Sequence, residues 1–205
     1  MGLSAEQLKA DLDALALIEP RYAAALAHVG YPEPRSRATG YVTLFRTIIG
    51  QQVSFKAADS IWAKLGATLG DLENPHTILS KTDEDLRACG LSRQKQGYVR
   101  SLAELVASGG LPLHALPNDD EEAIALLTRV SGIGRWSAEV YLLFGEGRGD
   151  IWPAGDLAVQ IAVGALLGLP DRPSEKVTRA VAEPWRPYRG AAAVFAWHYY
   201  KTPGI

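Results

Sequence analysis

The nine residues from Val130 to Ala138, Val-Ser-Gly-Ile-Gly-Arg-Trp-Ser-Ala, constrain this chain more than any other stretch. Two glycines flanking one apolar residue make a tight hairpin that can expose backbone N–H groups. The run Trp136–Phe144 that follows has helical spacing and no breaker. A hairpin opening onto a helix N-terminus is a seat for phosphate, because unpaired amides and the helix dipole both favour an anion. Such a seat holds a backbone without reading bases. Downstream stands an isolated carboxylate, Asp156, which suggests chemistry beside the bound phosphate. The same position also suits the N-cap of a helix beginning at Leu157.

Charge speaks against a generally basic nucleic-acid binder, since the formal net charge is −2. Any such contact has to come from a local patch and from backbone amides. The 205 residues are 47% hydrophobic and 21% charged, an ordinary balance for a folded protein with a substantial core. No apolar run approaches the roughly 18 residues of a membrane span, and the N-terminus is too polar for a signal peptide. A cytoplasmic location, beside the nucleoid in a bacterium, is the expectation, with no membrane partner. The single Cys89 excludes a disulfide framework, a cysteine-rich zinc site and a four-cysteine iron–sulfur cluster. His28, His76, His114 and His198 lack metal-ligand spacing, so no protein-held transition metal is expected, and the chain is expected to require no cofactor.

Along the chain the pattern is helical almost throughout. Ser4 opens a capped helix carrying Leu8, Leu12, Leu15 and Ala16, and Pro20 opens another. A long apolar helical stretch runs from Tyr41 to Leu65, with an interruption expected near Gly50. Arg93–Val106 continues as helix after the turn Gly90-Leu91-Ser92. Asp119, Asp120, Glu121 and Glu122 read as dipole partners at the start of the helix entering the hairpin. Further helices follow Asp156 and Ser174, and a last one runs from Pro187 to about Tyr200. Short helices and short loops imply an all-α fold of two helical lobes. The expected lobes are residues 40–130 and residues 1–39 with 131–205.

Ser131-Gly132-Ile133-Gly134-Arg135-Trp136, with Pro153-Ala154-Gly155-Asp156 downstream, resembles the helix-hairpin-helix (HhH-GPD) DNA glycosylase superfamily. The resemblance is to its alkylbase, or 3-methyladenine DNA glycosylase II, branch. Ile48–Ser54 is similar to that branch's DNA-penetrating motif, Leu91–Lys95 to its second DNA-facing turn, and Glu183–Trp197 to its C-terminal helix. The resemblance covers Tyr41 to Tyr200 and implies a single glycosylase unit, essentially the catalytic core, with a DNA-binding cleft between two lobes. Its partner would be double-stranded DNA containing damaged bases, bound by a monomer.

By that resemblance Asp156 is the catalytic residue. Breaking an N-glycosidic bond builds oxocarbenium character, which a fixed carboxylate stabilises while aligning water. Asp150 and Glu139 are the rival carboxylates, and each reads as a surface charge. Strand-cutting relatives carry a lysine two positions after the second glycine, where this chain has Trp136. An indole cannot form a Schiff base, so the expected reaction is hydrolysis leaving an abasic site. Trp136, Trp197, Tyr141 and Trp152 are the candidate base pocket, with Tyr188 as a further lining residue. Indole faces suit cationic N3- or N7-alkylpurines. Trp62 and Trp185 read as core.

Gln51 and Gln52 stand where the family inserts a plug residue into the gap left by the flipped base. Some relatives carry leucine at the Gln52 position, so this chain departs toward a polar plug. Ser54, Leu91 (as a wedge), Arg93, Lys95, Arg135 and the amides of Gly132, Gly134 and Trp136 complete the expected DNA contacts. The carbonyls of Thr128, Val130 and Ile133 match positions that hold a structural Na+ or K+ in relatives. The alternatives left open are a glycosylase for etheno, deaminated or oxidised bases, and a non-catalytic module that binds damaged DNA.

Overall fold

The computed structural model describes residues 2–202. No strand occurs among them, and no helix is long and apolar enough to cross a membrane. Helix starts follow local capping chemistry. Ser4 Oγ accepts the Gln7 N–H at the head of α1 (Ala5–Ile18), and α2 (Pro20–Val29) begins on a proline, whose missing N–H costs nothing there. The expected long helix is divided into α3 (Tyr41–Gly50) and α4 (Phe55–Leu69). Gln52 turns into the left-handed region at φ 56°, and Ser54 then restarts the helix by accepting the Ala57 N–H. After α5 (Pro75–Leu79), Thr82 and Asp85 close a reciprocal capping box on α6 (Asp83–Ala88).

Ser92 caps α7 (Arg93–Ala107), and Asp119 caps α8 (Asp120–Leu127), which leads into the hairpin. Beyond it α9 (Arg135–Tyr141) runs straight into a π-helical turn, Leu142–Glu146, closed by Gly147 in the left-handed conformation. Then come α10 (Leu157–Leu167), α11 (Glu175–Val181), a 3-10 turn at Glu183–Trp185 and α12 (Arg189–Tyr200).

The chain forms two compact units, Ala38–Ala138 and Met1–Arg37 with Glu139–Ile205. In the first, α3, α5 and α6 pack on α7, burying Leu44, Phe45, Ile48, Leu65, Ile78, Leu86, Val99 and Leu102. The hairpin therefore packs with these central helices. Residues 131–138, expected among the terminal helices, belong here: Ser131 bonds to α7, Gly132 to the end of α3, and Arg135 pairs with Glu121 on α8.

In the second unit α10 packs against α12 and α2, and α1 against α2 and α12. Its core holds Leu8, Leu12, Leu15, Tyr22, Val159, Val163 and Phe195. One close approach fixes the start of α12. The Gly190 N–H donates to Gly149 O at 2.7 Å, and a Cβ on Gly190 would lie 2.6 Å from that oxygen. Gly190→Ala is therefore expected to cost about 1–3 kcal/mol, read as a lower midpoint in denaturant.

Candidate nucleic-acid hairpin and catalytic carboxylate

The hairpin closes on itself by one backbone bond, Ile133 N–H to Val130 O at 3.0 Å. Both side chains are buried, so the apolar residue between the glycines is an anchor. Gly132 adopts φ +84°, and a Cβ there would fall 2.2 Å from the Tyr98 ring. Only glycine satisfies both demands. Gly134 differs: a Cβ would meet nothing within 4 Å. The N–H groups of Gly132 and Gly134 have no hydrogen-bond partner among the described residues. These are the donors an anion would use.

The hairpin is held from behind. Ser131 N–H donates to Ser101 Oγ on α7 at 3.0 Å, and the Gln51 side-chain amide donates to Gly132 O at 2.8 Å. Lys95, also on α7, donates from Nζ to Ile49 O at 2.6 Å, tying down the last turn of α3. Burial holds the Lys95 pKa below the usual lysine value. Gln51 and Lys95, both expected to face DNA, are thus braces that join the α3–α4 turn to the hairpin and α7. Gln52 is exposed and remains the residue at the tip of that turn. Ser54 is committed to capping α4.

Asp156 sits at the N-cap of α10. Its Oδ1 accepts the Val159 N–H at 3.0 Å and the Trp197 indole N–H at 3.1 Å. Both expected roles share one geometry, because a cap orients the carboxylate while leaving it partly exposed. Trp197, on α12, packs tilted against Phe144 of the π-helical turn, with ring centroids 5.4 Å apart. Residue type predicts a stacking role for Trp197, and the structure adds a polar one. The indole N–H at helical spacing from the C-terminus carried no signal of a partner forty-one residues away.

Several expected site residues are corrected by burial. Leu91 is 2% exposed, a core residue rather than a surface wedge. Trp152 is also 2% exposed, donates its N–H to Thr178 O and meets Trp185 edge-on, so it is core rather than pocket. Tyr141 is buried as well. Trp136 is 47% exposed at the start of α9 and keeps an accessible indole.

Arg135 is engaged by Glu121, with Nη1 at 2.8 Å from Oε2, so its charge is partly neutralised. Arg93 is exposed and has no ion-pair partner among the described residues, and it lines a depression with Asp83, Glu84 and Arg87.

The rival carboxylates are not surface charges. Glu139 is 2% exposed and lies 3.4 Å from Arg179, and Asp150 is gripped by Arg186 and Arg189. Glu139 is the buried one, so removing Arg179 would strand its charge, whereas Asp150 is only half-buried. Among the described residues no group of three or more His, Cys, Asp or Glu could hold a metal ion. For a monovalent cation the donors would be carbonyls. That of Val130 already accepts one N–H and keeps a second lone pair, and neutral oxygens suit Na+ or K+.

An all-helical chain with a glycine hairpin entering a helix, and a capping aspartate held by an indole, defines a recognisable class. The chain belongs to the HhH-GPD superfamily of base excision DNA repair proteins, whose profile matches residues 45–187. Within that superfamily its similarity is to the 3-methyladenine branch. It is 35% identical over 161 residues to DNA-3-methyladenine glycosylase 1 of Schizosaccharomyces pombe, covering 77% of this chain and 71% of that one. The crystal structure of a Bacillus halodurans DNA-3-methyladenine glycosidase superposes with a TM-score of 0.83 at 28% identity, covering 94% of this chain and 89% of that one. A Schizosaccharomyces pombe 3-methyladenine DNA glycosylase in complex with abasic DNA gives 0.74 at 31% identity, covering 95% and 97%.

Proposed function

We propose that this protein is a monofunctional DNA glycosylase that hydrolyses the N-glycosidic bond of alkylated purines, of the 3-methyladenine and 7-methylguanine type, in duplex DNA. The observation that carries the reading is the Asp156 carboxylate, oriented by the α10 N-cap and the Trp197 N–H. As the C1′–N bond breaks, its electron pair leaves with the base, and positive charge develops on the sugar. Asp156 stabilises that charge and aligns a water, which supplies hydroxide to C1′ while its remaining proton passes to the carboxylate or to solvent. A cationic alkylpurine is already a good leaving group, so little acid catalysis is needed. Trp136 offers its exposed indole face to such a base.

The amides of Gly132, Gly134 and Trp136 hold a phosphate, and Gln52 fills the gap left by the flipped nucleotide. The carbonyls of Thr128, Val130 and Ile133 would hold a Na+ or K+, whose charge would reinforce the phosphate seat. The partner is damaged double-stranded DNA, bound by a monomer.

Release of 3-methyladenine and 7-methylguanine from methylated duplex DNA, with strands breaking only after alkali, is the expected outcome. Strand scission without alkali would overturn the hydrolytic reading, because it requires an amine nucleophile where Trp136 stands.

The Trp197 contact makes a second prediction. Trp197→Phe keeps the aromatic packing but removes the donor to Asp156. A hydrogen bond to a charged group contributes about 1.5–3 kcal/mol, so base release should slow by roughly tenfold or more. Single-turnover rates should fall while affinity for an abasic-analogue duplex stays within about twofold.

A further inference from the structure

Phe55 is 93% exposed, the highest value among the large apolar side chains of the described residues. Water-exposed aromatic surface of this size is unfavourable unless something covers it. The ring does not sit on a fraying end. It occupies the first position of α4, directly after the Ser54 cap. The turn before it is braced at both sides, by Lys95 on Ile49 O and by Gln51 on Gly132 O. Val53 is also 39% exposed, and Gln52 at the tip is exposed and left-handed. Lys56 is exposed and has no ion-pair partner among the described residues. Asp59, one turn further on, is neutralised by Arg46 at 2.7 Å.

We propose that Phe55 is a DNA-contacting residue whose ring stacks on a base left exposed when the damaged nucleotide leaves the duplex. The inference rests on the function proposed above and adds a residue to it. Gln52 is polar and brings little apolar area into a gap between bases. Phe55, three residues on, supplies that area on the same rigid turn. Apolar side chains inserted at base steps and aromatic rings under unpaired bases are common means of holding an opened duplex, and stacking tolerates any sequence. DNA, rather than a protein, is favoured as the occupant by the adjacent Lys56 cation and by the direct tie between this turn and the phosphate-seating hairpin.

The test is the affinity of wild type, Phe55→Ala and Phe55→Trp for a duplex carrying an abasic-site analogue beside a fluorescent 2-aminopurine. Phe55→Ala should bind about 5- to 150-fold more weakly and lose quenching of the neighbouring base, with an unchanged melting temperature. Phe55→Trp should retain both. Equal affinity and quenching for wild type and Phe55→Ala would overturn the proposal and leave the ring to a protein contact. A wild type that binds the abasic duplex but releases no base from methylated DNA would overturn the reaction. The Phe55→Ala comparison would then still decide the contact. A wild type that binds no DNA would overturn both.

Discussion

Asp156→Asn should yield a folded protein that binds DNA and releases essentially no base. Asparagine is as good an N-cap as aspartate, so the bond from the Val159 N–H and the start of α10 survive. The side-chain oxygen can still accept the Trp197 N–H. What disappears is the negative charge. Its loss costs the oxocarbenium-like transition state an electrostatic partner, an effect of about 10²–10³-fold, or roughly 2.7–4 kcal/mol, by analogy with other preorganised sites. Removal of the carboxylate as a water-aligning base slows the reaction further. Thermal stability should change by less than about 1 kcal/mol, the scale of a charge at a helix N-terminus. Free bases separated chromatographically from methylated duplex DNA give the readout. Release within about tenfold of wild type would assign the chemistry to another group.

The two hairpin glycines should separate folding from binding. Gly132→Ala combines a positive φ with a Cβ at 2.2 Å from the Tyr98 ring. The conformation costs about 1–2 kcal/mol and the overlap about 1–3 kcal/mol. Together they should lower the denaturation midpoint clearly and displace the hairpin. Gly134→Asp meets open space, so stability should stay within about 0.5 kcal/mol of wild type. It places a negative charge at the unpartnered amides, and affinity for any duplex should fall by roughly tenfold or more whatever its sequence. Undiminished binding by Gly134→Asp would move the phosphate seat elsewhere on the protein.

Much of this was legible in one dimension. Ser4, Pro20 and Asp119 announced their helices, because a helix-start signal needs only neighbours within three residues. The hairpin glycines announced a turn for the same local reason. Asp156 stood out by its position after a Pro-Ala-Gly break. Burial was far less legible. Leu91 and Trp152 looked like interface residues by type, and only long-range packing shows them to be core. Arg135 looked like a phosphate contact, yet its partner Glu121 lies on the other side of the hairpin.

The sequence by itself determined the helical content, the hairpin, the chain's membership of its repair family and the absence of a lyase lysine at Trp136. All of these are set by residue type and short-range spacing. Tertiary structure alone decided that Gln51 braces the hairpin and that Lys95 braces the end of α3. It also decided that Trp197 holds Asp156 by a hydrogen bond, and that Phe55 is left uncovered. Hydrogen bonds between distant residues and the exposure of a side chain depend on where whole helices come to rest. That outcome is set by the packing of many apolar side chains at once, and no local pattern encodes it.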